Sequence, residues 1–310
     1  MKEKFTPYLE KQFSNLAIAE QYKILPHDIA NHFERLDPLA EDSHQPVKGL
    51  VHKYENRALI KVSYRCAAHC RFCTRIRQIG TEEGDLDQPD DISNIISYIR
   101  LHKEITDVIL SGGDPFYTPT QSLLLLNGLE YIDSLKVIRI GTRLPIHNPQ
   151  SFKAPLLKKM LQKVKEIAEK RPFIILLHFA HPDEITKEVL EVIKLLKATG
   201  ATLLSQTVFL RGINNDYKLL KRLFEALYWN GVIPYYMYRC DYVKGLEHYV
   251  CEIEEEIQIM TTLRCELSGI SYPTYIIDVE GKGKIPVPLN YWGINNPKGC
   301  LDFNGQYINF

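Results

Sequence analysis

The sequence predicts an α/β protein centred on a parallel sheet, open or curled into a partial barrel. Three observations carry this. From residue 57 onward, short β-branched runs alternate with longer amphipathic stretches, which is how strand–helix–strand units read. Six such units are present, which suits an open or partial barrel better than a closed eight-fold one. Residues able to do chemistry fall just after the apolar runs, at the carboxyl ends of strands, where ligands gather in such sheets.

Taken in order, residues 1–36 read as two short helices separated by Pro26, a cap on the main domain. The turn-rich stretch 37–52 leads into the first strand. The expected strands are Ala58–Val62, Val108–Ser111, Val137–Thr142, Phe173–His178, Thr202–Phe209 and Pro234–Tyr238. The expected helices are Asp91–His102, Pro119–Ser134, Ala154–Lys170, Glu184–Thr199 and Asp216–Asn230. In the third of these, Leu156, Leu157, Met160, Leu161 and Val164 recur at helical spacing and should share one face. A further helix, Glu252–Cys265, precedes short strands at Tyr275–Asp278 and in the tail Leu301–Phe310. The expected division is an N-terminal helical extension (1–50), a core (51–249) and a C-terminal extension (250–310), the two extensions packed on one catalytic domain.

At 310 residues and 45% apolar, the chain has the size and composition of a globular protein. A formal net charge of zero argues against a nucleic-acid or anionic-membrane binder. No run reaches the ~18 apolar residues of a membrane span, and Met1–Pro26 has no signal-peptide core. Seven cysteines, an odd number, suit a reducing cytoplasm. Cys240, Cys251, Cys265 and Cys300 are scattered and read as small buried side chains.

The centre of the chain is Cys66-Ala-Ala-His-Cys70-Arg-Phe-Cys73, directly after the first apolar run. Three thiolates on one short loop can hold three irons of a cubane cluster, leaving the fourth open to a small molecule. A zinc site would want a fourth ligand, and the chain has no second CxxC pair. His69 is the one candidate inside the loop.

Cx3Cx2C after a first strand resembles the radical S-adenosylmethionine (SAM) superfamily. The flanking Cys73-Thr74-Arg75-Ile76-Arg77, Asp37-Pro38-Leu39-Ala40-Glu41-Asp42 and Pro46-Val47-Lys48-Gly49-Leu50-Val51-His52 resemble, more narrowly, the lysine 2,3-aminomutase family. The resemblance implies the radical SAM partial (β/α)6 barrel, a [4Fe-4S] cluster on Cys66, Cys70 and Cys73, SAM on its open iron, and pyridoxal 5′-phosphate (PLP).

Ser111-Gly112-Gly113-Asp114-Pro115 can be a plain turn. Its glycines would also let a ligand approach the backbone, with Asp114 accepting from an ammonium. In the family this is the GGDP segment that holds the amino group of SAM. Arg139-Ile140-Gly141-Thr142-Arg143 matches too, although its arginines also read as strand-end charges. His178 and Gln206 match positions near SAM, with a core histidine the plainer reading of the first. Gly281-Lys282-Gly283-Lys284-Ile285-Pro286-Val287-Pro288 is, by itself, a solvated basic turn. By resemblance it is the loop whose lysine, Lys284, carries PLP, with Lys282 as a rival. Lys53, Arg57 and Tyr238 match PLP-side positions, while Tyr235 and Tyr236 read as barrel packing. Arg75 matches the arginine for the substrate carboxylate, and Asp241 and Asp278 match the two acids for the distal ammonium of lysine. Two carboxylates in a dry pocket are tolerable when a cation lies between them.

The activity implied is an isomerase that moves the α-amino group of L-lysine to Cβ. A 5′-deoxyadenosyl radical would act on lysine held as an imine of PLP. Alternatives are β-lysine synthesis dedicated to elongation factor P, which the short chain favours, and a radical SAM protein without PLP. The expected partners are L-lysine, an electron donor such as flavodoxin or ferredoxin, and further copies of this chain, with no nucleic acid and no membrane.

Overall fold

The computed structural model describes residues 2–24, 33–82, 84–279, 283–287, 299–301 and 306–309. Seven strands run parallel: β2 (Arg57–Ser63), β3 (Asp107–Gly112), β4 (Val137–Thr142), β5 (Phe173–His178), β6 (Thr202–Val208), β7 (Ile233–Tyr238) and β8 (Thr274–Val279). β1 (Leu50–Tyr54) and β9 (Gly283–Pro286) add antiparallel to the two edges, so the nine strands stand in chain order. The six expected strands are β2 to β7. The C-terminal segment continues the same sheet through β8 and β9, and β10 (Gly299–Leu301) pairs with β11 (Tyr307–Asn309) in a separate ribbon.

The helices alternate with the strands as expected. They are α3 (Pro89–Leu101), α4 (Pro119–Leu129), α6 (Pro155–Ala168), α7 (Lys187–Lys197), α8 (Tyr217–Trp229) and α9 (Ile253–Glu266), with a short α5 (Leu144–His147) after β4. Proline at the first turn begins α3, α4 and α6, where its missing N–H costs nothing. Thr186 and Asp216 cap α7 and α8 with side-chain oxygens. On α6, Leu157, Met160, Val164 and Ile167 are buried, each worth about 1.5–3 kcal/mol against exposure. Leu156 departs from expectation: it stands 39% exposed. None of the described helices is long and apolar enough to cross a membrane.

Both faces of a parallel sheet are ordinarily buried. Here β3 and β4 alternate fully buried with half-buried residues. Val108, Leu110, Ile138 and Ile140 pack outward into the main core. Ile109, Ser111, Arg139 and Gly141 face a cavity instead. The sheet therefore wraps a hollow. Its two edges approach each other, since a Cβ built on Gly283 of β9 would lie 2.7 Å from the Tyr54 hydroxyl of β1.

The N-terminal helices α1 (Pro7–Glu10) and α2 (Leu16–Ala19) both precede Pro26, so the break between them is the turn at residues 11–15. Pro26 itself lies outside the described residues, as do Gly281 and Lys282.

Candidate active site

The cysteine loop follows β2 and is braced on two sides. From the N-terminal segment, Lys4 Nζ donates to the Cys66 carbonyl (2.7 Å), while the His69 and Arg71 amides donate to the carbonyls of Lys4 and Gln21 (both 2.8 Å). From β3, the Gly113 amide donates to Ser63 O (2.5 Å) and the Asp114 amide to Arg65 O (2.9 Å). This is where the glycines are needed. A Cβ on Gly113 would sit 2.3 Å from Arg65 O, and one on Gly112, whose φ is +100, would sit 2.6 Å from Ser63 O. The side on which each Cβ would stand is taken by the backbone that leads to Cys66, and both glycines line the cavity.

Burial raises all three thiols. Cys73 is pushed up to about 11, with the neighbouring Cys70 charge adding to the effect. Arg143 Nη1 donates to Cys70 Sγ at 2.9 Å and works the other way. Its guanidinium is fully enclosed and held by Glu184 (2.6 Å) and Gln21 (2.5 Å). Among the described residues no three His, Cys, Asp or Glu side chains converge on a single-ion point. Thiolates that each take a different iron need no such convergence. His69, the candidate fourth ligand, places Nδ1 2.9 Å from the Lys2 carbonyl oxygen, away from the cavity.

Asp114 closes the β3 and β4 ends together. Its oxygens accept from Thr142 Oγ1 (2.8 and 3.0 Å), the Arg143 amide (2.8 Å) and the Phe116 amide (3.0 Å). Burial raises its carboxyl, against the pull of those bonds. Beyond it, His178 is held neutral, pushed down to about 3 by burial and by Arg143. Its Nε2 is buried with no protein partner among the described residues. Gln206 Nε2 donates to the Tyr238 hydroxyl at 3.1 Å.

At the other side of the cavity, Lys284 Nζ donates to Asp278 Oδ2 at 2.6 Å and lies 5.7 Å from the centre of the Tyr238 ring. Asp278 Oδ1 is buried and without a protein partner among the described residues. Asp241 is pushed up to about 7, first by burial and then by the Asp278 charge, against Lys284 and Arg35. Arg57 stacks on the Tyr54 ring (3.9 Å), and Lys53 Nζ donates to the Leu39 carbonyl (3.0 Å).

Apart from His69 and Lys282, the residues singled out for a site line one cavity of about 760 Å³: Cys66, Cys70, Cys73, Arg75, Gly112, Gly113, Asp114, His178, Gln206, Tyr238, Asp241, Asp278, Lys284, Lys53 and Arg57. Its volume lies within the roughly 300–1,000 Å³ of small-molecule sites. The cavity also holds residues that sequence reasoning left without a role. Arg139, paired with Asp107 at 2.8 Å, and Arg143 are cavity residues as well as strand-end charges. Tyr235 and Tyr236, expected as packing, are half-buried and both line the cavity. A bulge makes this possible: Ser205 pairs with Pro234 and Gln206 with Tyr236, so Tyr235 is the extra residue. Glu41 is the third omission. It accepts from Arg75 Nε (2.8 Å) and Nη2 (2.5 Å) in a bidentate pair. It lies in the quoted 37–42 stretch, but its partner is 34 positions away.

A model of the radical SAM superfamily matches residues 60–223. The chain is 39% identical over 258 residues to the L-lysine 2,3-aminomutase of Fusobacterium nucleatum subsp. nucleatum, covering 83% of this chain and 59% of that protein. A relative from Aquifex aeolicus is 38% identical over 280 residues, covering 88% of this chain and 73% of its own length. The glutamate 2,3-aminomutase of Clostridioides difficile is 35% identical over 260 residues, covering 83% of this chain and 60% of that protein. Among solved structures, a radical SAM methyltransferase from Sphaerobacter thermophilus superposes with a TM-score of 0.52 at 15% identity, covering 74% of this chain and 68% of that one, a likeness of fold alone. The chain spans about three fifths of the length of the Fusobacterium protein. With the family model over its barrel and that degree of identity along most of its length, the chain belongs to the radical SAM superfamily and, within it, to the lysine 2,3-aminomutase family.

Proposed function

We propose that this protein is an aminomutase that moves the α-amino group of L-lysine to Cβ, using a [4Fe-4S] cluster, SAM and PLP. One observation carries the reading. The three cysteines and Lys284 line the same cavity, and a pair of acids, Asp241 and Asp278, lines it with them.

The donor sets suit the groups. Three half-buried cysteines, one of them bonded by a fixed guanidinium, suit an iron–sulfur cluster, whose positive irons offset the cost of ionising the thiols. The unpartnered Nε2 of His178 suits a polar ligand such as SAM. A lysine amine at the cavity wall, with Lys53 and Arg57 near the β1–β2 turn, suits a phosphorylated aldehyde. When bound, the cluster with SAM supplies hydrogen-atom abstraction, and PLP supplies a carbonyl carbon that lets an amino nitrogen migrate.

The chain's own residues then position the substrate. Arg75 takes the α-carboxylate. Asp241 and Asp278 take the distal ammonium, whose charge relieves the repulsion that holds Asp241 up. A glutamate side chain would bring a third carboxylate against that pair and be rejected. Lys284 holds PLP, Tyr238 flanks the Lys284 amine, and Gln206 ties that tyrosine to the His178 side of the cavity. Burial excludes water and competing hydrogen donors.

The test is product analysis. Reduced protein loaded with all three cofactors is given isotopically labelled L-lysine, L-arginine and L-glutamate separately. The 3-amino product should form from lysine and not from glutamate. A glutamate product, or no product from lysine with full cofactor occupancy, overturns the reading. In Lys284→Ala the visible absorption of bound PLP should be lost while the cluster is kept.

A further inference from the structure

The 37–42 stretch has no part in the function above, yet it is tied down over the cavity. Arg77 Nη2 pairs with Asp42 (2.5 Å) and Asp37 (3.5 Å), and Asp37 Oδ2 accepts from the Asp42 amide (3.0 Å). Ala40 sits at φ +51, a conformation that a residue with a side chain adopts only when its surroundings require it. That kink turns Glu41 inward, to 6% exposure, onto Arg75.

The geometry of the pair is informative. A guanidinium has two edges that can each hold a carboxylate with two parallel bonds: Nε with Nη2, and Nη1 with Nη2. Glu41 occupies the first. Of the second edge, among the described residues Nη1 makes only a long contact, 3.5 Å, to Ser111 Oγ, which itself lines the cavity. Charge does not select the ligand here. Arg75, Arg77 and Lys61 face Glu41, Asp37 and Asp42, so the cluster is neutral before a ligand arrives, and the Nη1–Nη2 edge is what it offers to a carboxylate.

We propose that Glu41 is the positioning residue of the carboxylate site. It grips one edge of Arg75 and so turns the Nη1–Nη2 edge to the substrate. This rests on the reading that Arg75 receives the substrate carboxylate.

The experiment uses cofactor-loaded protein left unreduced, so that ligand binds without turnover. Calorimetry compares L-lysine with 1,5-diaminopentane, the same chain without a carboxylate. Glu41→Gln should weaken lysine by about ten- to a hundredfold and leave the diamine within about twofold. On an Arg75→Gln background, Glu41→Gln should change neither ligand further. If Glu41→Gln loses its cofactors, Glu41→Asp, which keeps the charge but is one methylene too short to hold both nitrogens, is measured with the same expectation. Unchanged or tighter lysine binding in either variant overturns the proposal, because Glu41 would then be a competitor or a bystander. If Arg75→Gln itself leaves the preference for lysine over the diamine intact, the carboxylate assignment of Arg75 falls, and the proposal falls with it.

Discussion

Asp241 shows how an environment assigns a role to a side chain that has none by itself. Its carboxyl is pushed up to about 7 by burial and by Asp278. The sign follows from linkage. A group whose folded pKa lies above its ordinary value binds its proton more tightly when folded. The stabilisation this gives is present below about pH 4 and is lost as pH rises through about 7. A cation placed between the two acids favours the ionised form and lowers that pKa. Binding of a distal ammonium should therefore strengthen by up to about tenfold per pH unit below 7 and level off above it. Calorimetry at pH 6 in buffers of different ionisation heat should show a proton released on binding that Asp241→Asn abolishes. Release unchanged in that variant would assign the proton to another group.

At the scale of elements, the end of β3 does more than turn. Gly112 and Gly113 let it pack directly on the backbone entering the cysteine loop, and Asp114 then ties β3 to β4 through Thr142 and Arg143. Gly112→Ala adds a Cβ against Ser63 O at a positive φ. It should cost about 1–3 kcal/mol, read as a lower melting temperature. The brace on the loop would loosen as well, so the variant should carry less iron and sulfide per chain. A melt as stable as the parent with full iron would show that the backbone relaxes freely there. By contrast, the α6 stripe was nearly readable from spacing. Only Leu156 misplaced itself, and spacing does not account for it: at 3.6 residues per turn it lies nearer the centre of the face than Leu161, which packs on the core.

At the scale of the whole molecule, the site exists because the sheet curls until the Tyr54 side chain of one edge reaches Gly283 of the other. Lys284 sits on β9, the last strand of the large sheet, and Lys53 on β1, its first. What brings them to one cavity is the approach of Gly283 to Tyr54, at a φ of +79 that suits glycine. Gly283→Ala should push the edges apart. PLP content, measured by absorption, should fall several-fold while iron content holds. Tyr54→Ala should recover part of the loss by removing the clash. Equal PLP in Gly283→Ala and the parent would show that the closure does not set the position of Lys284.

Much of this was legible in the chain itself. The cysteine spacing is a property of eight consecutive residues, and one loop suffices to gather them. Strand–helix alternation follows from local periodicity and so predicts the six-unit core. The cysteine loop, the 111–115 segment, His178 and Tyr238 reach one cavity because strand ends in a parallel sheet point the same way, whereas Lys53, Arg57 and Lys284 enter it from β1, the start of β2 and β9. Other features were not legible. The choice of Glu41 for Arg75, the bulge that turns Tyr235 inward and the N-terminal segment bracing the cysteine loop all join residues far apart in sequence. Local pattern states what a residue can do, by its charge, size and backbone preference. Which of many possible partners it meets depends on Coulomb and packing distances that exist only once the sheet has closed.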